Sequence, residues 1–167
     1  MARVSVKLGG LGSDWTAACK HAVTHLNAAF KTRHVNIVLD ANGLTAPMIS
    51  VKTDPSIQGS AVHGRTTAEF NSTGGMIRSE VRLPVSVLIN TPSGQRGAGQ
   101  GILEVIAGHE FVHALGHDEH NSHLMSQTMY KEMGDRAAQD KLRAGTVHLP
   151  PLALSDETVA TLKSIWP

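Results

Sequence analysis

The sequence predicts an α+β domain, and three patterns predict it. Near the start, residues alternate between apolar and polar as a strand does, and the chain then passes into a long amphipathic helix. Short β-branched runs, each closed by glycine, proline or asparagine, fill the middle. A long apolar helix follows, and a short capped helix ends the chain. With 167 residues, the chain is the size of one domain with one continuous core. No repeat, low-complexity tract or break in composition divides it, so residues 1–167 are read as a single domain. A larger part runs to Gly116 and a smaller one from His117 onward.

Val4 to Leu8 alternates as a first strand, and Gly9 to Gly12 forms a turn. Ser13 or Asp14 is expected to cap a helix with Trp15, Ala18, Cys19, Ala22, Val23, Leu26, Ala29 and Phe30 on one face. His21 and His25 lie one turn apart on its flank. With no third ligand nearby, they are read as solvated surface residues. His34 to Leu39 is the next strand, closed by Asn42-Gly43, and Met48 to Lys52 another, ended by Asp54-Pro55. Thr66 to Phe70, Met76 to Leu83 and Val85 to Asn90 complete the strands, with Pro84 marking an edge or bulge. Thr91 to Gly101 contains four glycines and a proline and is read as a loop. Ile102 to Leu115 is apolar almost all round, which predicts a helix buried in the domain, and Gly116 is placed to stop it. A polar helical stretch follows Tyr130, then a loop through Gly145 and Pro150-Pro151. Ser155 caps a last helix that carries Val159, Leu162 and Ile165.

The formal net charge is +1, so no basic or acidic field directs the chain to nucleic acid or an anionic membrane. The one cysteine, Cys19, excludes an internal disulfide and a cysteine-ligated zinc. No apolar run is long enough to span a bilayer. The first residues lack the pattern of a secretory signal, so a cytoplasmic location is expected unless a leader has been removed. A monomer is expected.

Six of the ten histidines fall between His109 and His148, and the first two carry the chemistry. In His109-Glu110-Phe111-Val112-His113, two imidazoles four residues apart on a helix can reach one ion. Zinc takes imidazole nitrogen at about 2.0–2.1 Å and, in a catalytic site, three protein ligands with one position left for water. Glu110 lies beside the first ligand, where its carboxylate can take a proton from that water and later hand it to a leaving amine. Burying two histidines and a glutamate in an apolar helix would be costly without a partner for them.

His109 to Gly116, HEFVHALG, resembles the active-site helix of the metzincin clan of zinc peptidases, and within it the matrixin-like group. The clan's pattern is His-Glu-x-x-His-x-x-Gly-x-x-His or Asp, followed by a methionine turn. The chain matches at His109, Glu110, His113 and Gly116. The third-ligand position holds Glu119, with His120 one residue later. Zinc's preference for imidazole favours His120 and strict spacing favours Glu119; His120 is the expected ligand and Glu119 its alternative. His117 and His123 are outside options, and Asp118 is expected in the supporting loop. Leu124-Met125 looks like the start of the methionine turn, with Met129 a weaker candidate, and Tyr130 resembles a tyrosine that walls the substrate pocket.

The resemblance implies a twisted, mostly parallel mixed sheet with two long helices, a zinc cleft and a small C-terminal subdomain ending in a helix. It implies one catalytic Zn²⁺ and a protein or peptide substrate cut at internal bonds, with Glu110 as general base. In the clan, substrate pairs with an edge strand beside the cleft, and Met76 to Leu83 is the candidate for that edge. Specific matching covers residues 102–130; elsewhere the likeness is one of layout. The sequence shows no cysteine-bearing latency segment and no set of residues for a second zinc, to which His63 alone does not amount. Two other readings stay open: a zinc-binding recognition domain of the same fold without catalysis, and a zinc hydrolase acting on something other than a protein.

Overall fold

The computed structural model describes residues 1–57, 63–127 and 151–167. It is a mixed α+β fold with a five-stranded, mostly parallel sheet and, among the described residues, three helices. In chain order the elements are β1 (Ala2–Lys7), α1 (Ser13–Thr32), β2 (Ile37–Asp40), β3 (Met48–Thr53), β4 (Arg65–Phe70) and β5 (Met76–Leu83), followed by β6 (Leu88–Thr91), β7 (Gly94–Gly97), α2 (Gln100–Ala114) and α3 (Asp156–Ile165). The main sheet runs β2-β1-β3-β5-β4; only β4, paired with β5, is antiparallel.

The two long helices form where periodicity places them. Helix α1 buries Trp15, Ala18, Cys19, Ala22, Val23, Leu26 and Phe30 on one stripe, while Lys20, His21 and Thr24 stay in solvent. It packs on β2, α2 packs on β4 and β5, and the helices pack on each other. Every residue of α2 from Gly101 to Val112 is buried, because α1, the sheet and the C-terminal segment cover it together. Gly108 permits the last of these contacts, since a Cβ there would meet Leu152 at 2.8 Å. The end of α2 is a Schellman motif. Gly116 stands at φ +103°, its N–H donates to the His113 carbonyl, and the His117 N–H donates to that of Val112. Ser155 caps α3 by accepting from the Thr158 N–H at 3.0 Å. No described helix is long and apolar enough to cross a membrane.

Five expectations need correction. The N-cap of α1 is Gly12, with no side-chain cap from Ser13 or Asp14. The strand read from His34 starts at Ile37, because α1 also closes in a Schellman motif: His34 sits at φ +54° and the Val35 N–H donates to the Phe30 carbonyl. Met76–Leu83 is not an edge. It lies between β3 and β4, and Pro84 falls beyond its end, where its carbonyl accepts from Trp15 Nε1. The strand read from Val85 starts at Leu88 and, with the first part of the expected loop, forms a β6–β7 hairpin joined through Pro92-Ser93, with Gly94 at φ +111°. His25 is not a free surface residue, for its Nδ1 meets the carboxylate of fully buried Glu104 on α2. Met129, Tyr130 and the polar stretch after it lie outside the described residues.

Candidate metal centre

Helix α2 carries His109 and His113 on one face, and the chain reverses at Gly116 to bring His120 back to them. One nitrogen from each of the three rings lies within 4.8 Å of the others. His113 Nε2 is 3.0 Å from His109 Nε2 and 3.3 Å from His120 Nε2. Glu119, the alternative third ligand, is exposed and does not join this group. His117 and His123 do not join it either, since His117 is buried toward α3 and exposed His123 bridges to Leu154.

The orientation of the rings decides what they can hold. His109 Nδ1 is 2.8 Å from the Leu124 carbonyl, and His113 Nδ1 is 2.6 Å from that of His117. A carbonyl only accepts, so each Nδ1 carries the proton and each Nε2 of a neutral ring presents a lone pair. Two lone pairs 3.0 Å apart repel, and a cation between them removes that repulsion. The donor set therefore fits a divalent metal, and three imidazoles suit zinc. Burial, the largest cause, pushes the His109 pKa down to about 3 and that of His113 below the usual imidazole range, favouring the neutral form that ligates.

Met125 and Leu124 are fully buried, and Leu124 lies against α2 beside Gly108. Their turn is closed by the Met125 N–H to the Ser122 carbonyl and the Asn121 N–H to the Met125 carbonyl. Leu124 thus offers its carbonyl to His109 from a fixed backbone.

Glu110 shares a cleft of about 380 Å³ with the three histidines, His63 and Asp118. It is 5% exposed, and burial pushes its pKa up to about 7, opposed by a hydrogen bond from Thr66. A divalent cation among the histidines would draw it back toward the carboxylate. Thr66 Oγ1 donates to Glu110 Oε2 at 2.5 Å from strand β4. Gly64 closes over the same carboxyl, where an added Cβ would lie 2.6 Å from its Cδ and Oε1. Gly64→Ala is therefore expected to displace the carboxylate while leaving the histidines in place. Metal uptake by the histidines should stay at the wild-type level, and a loss of uptake would show that the displaced carboxylate disturbs them.

Sequence reasoning did not find Thr66, Gly64 or the carbonyls of Leu124 and His117. The approach of Gly64 and Thr66 to Glu110 depends on strand pairing, which no local pattern encodes. β4, not β5, is the sheet edge on the cleft side, and Arg65, Thr66 and Ala68 line the cleft. No protein-family model matches the chain, and no curated protein matches its sequence.

Proposed function

We propose that the chain is a zinc-dependent endopeptidase of the metzincin kind, with His109, His113 and His120 holding zinc and Glu110 as general base. One observation carries this reading: three convergent imidazole nitrogens share a cleft with a buried carboxylate, and the cleft borders an edge strand.

When bound, zinc supplies Lewis acidity, polarising a scissile carbonyl and making water acidic near neutral pH. The remaining work falls to the chain. Glu110 takes a proton from the attacking water and returns it to the departing amine; Thr66 and Gly64 hold its carboxyl in place meanwhile. Strand β4 pairs on one side with β5, and among the described residues no strand pairs with its other edge, where an extended substrate would add to the sheet by main-chain hydrogen bonds. Met125 and Leu124 form an apolar floor that keeps the helix histidines from shifting.

The test is cleavage of a diverse quenched-peptide library by zinc-loaded protein, with and without chelator. Internal cleavage that chelator stops and zinc restores is expected. Zinc-loaded protein that leaves every peptide intact would contradict the peptidase reading and favour a recognition domain.

A further inference from the structure

The rings of His109 and His113 are aimed by two backbone carbonyls, and both carbonyls belong to a stretch that the C-terminal segment holds down. Leu124, whose carbonyl accepts from His109, donates its own N–H to the Ala153 carbonyl at 3.0 Å, and neighbouring His123 bridges to Leu154. His117, whose carbonyl accepts from His113, has its imidazole buried to 1% exposure against α3. There Asn121 Nδ2 and Thr158 Oγ1 reach His117 Nε2 at 3.3 and 3.4 Å. The ring's Nδ1 has no hydrogen-bond partner among the described residues, so these two long contacts are its polar anchorage.

Asn121, Ser155 and Thr158 form a closed set. Asn121 Nδ2 donates to Thr158 Oγ1 at 3.0 Å, Ser155 Oγ lies 3.1 Å from Asn121 Oδ1, and the Thr158 N–H donates to Ser155 Oγ. Asn121 also closes the methionine turn through its backbone N–H. The residues that cap α3 are thus the residues that fix both loops bearing the ring acceptors.

We propose that Asn121, Thr158 and His117, joined where the first turn of α3 meets the loop after Gly116, orient the metal ligands as positioning residues that act through the Leu124 and His117 carbonyls. The proposal rests on the three histidines holding a metal and does not depend on the peptidase reading. Groups that orient ligating histidines typically contribute about 10- to 100-fold in metal affinity, and here that contribution comes from a helix outside the motif.

The test is zinc affinity by chelator competition, with the visible spectrum of the cobalt-substituted protein as a report on ligand geometry. Thr158→Val removes the hydroxyl at nearly constant volume and is expected to weaken zinc about tenfold or more and to alter the cobalt spectrum. Thr158→Ser, which keeps the hydroxyl, should bind within about twofold of wild type. Leu162→Ala, a cut into the buried face of the same helix, should lower thermal stability without changing affinity or spectrum. If Thr158→Val does not fold, Asn121→Ala at its half-buried site tests the same link. Unchanged affinity in Thr158→Val and Asn121→Ala, or losses in Thr158→Val and Leu162→Ala that merely follow stability, would overturn the proposal. A wild-type chain that binds neither zinc nor cobalt would instead overturn the metal centre beneath it.

Discussion

Glu110→Gln is expected to leave zinc content at the wild-type level and to lower peptide turnover by about 10²- to 10⁴-fold. The glutamine amide has the shape of the carboxylate and can still accept from Thr66, so the cleft keeps its form. It cannot take up a proton, so the proposed general-base step stops there. Turnover that persisted would remove Glu110 from its assigned role. The same substitution carries a pH signature in metal-free protein. Burial raises the folded pKa of Glu110 to about 7, above the ordinary 4.5. Its protonated form therefore contributes stability that is full below about pH 4.5 and is lost as pH rises through about 7. Metal-free Glu110→Gln should thus melt higher than metal-free wild type at pH 8, a difference that shrinks toward pH 4.5. Equal melting temperatures at both pH values would show that the carboxyl is not buried as described.

His113→Ala is expected to reduce zinc from one ion per chain to near none and turnover to background. His113 is the common neighbour in the cluster, with its Nε2 3.0 Å from that of His109 and 3.3 Å from that of His120. Removing it leaves two nitrogens from separate segments. His120→Ala should likewise strip the metal at moderate chelator concentration, whereas Glu119→Ala should retain both metal and turnover. The reverse outcome for the last pair would make the strict spacing correct and Glu119 the ligand. Elemental analysis of the purified variants decides between them.

These predictions draw unequally on sequence and structure. The buried helix was legible because Ile102 to Leu115 is apolar on all faces, and its end because only glycine easily takes the conformation of Gly116. Ser155 announced α3 by its side-chain chemistry. That His109 and His113 present their rings together on α2 was legible from helical spacing alone. Other features depended on contacts between distant residues. Met76–Leu83 reads as an edge strand from neighbouring Pro84, yet β4 flanks it, and strand order is set by packing that no local pattern carries. His25 looked solvated because its partner Glu104 lies on another helix. His34 looked like a strand residue because residues other than glycine seldom end a helix at positive φ. The placement of His120 rather than Glu119 among the histidines follows from the path of the loop after Gly116, which spacing left open.

Whether His109, His113 and His120 hold one zinc ion, as proposed, is decided by zinc per chain from elemental analysis after stripping, reloading with zinc and removing the excess. One equivalent per chain in wild type, and close to none in a chain with all three histidines replaced by alanine, is the predicted result. No retained zinc in wild type, or one equivalent retained without the three histidines, would contradict it.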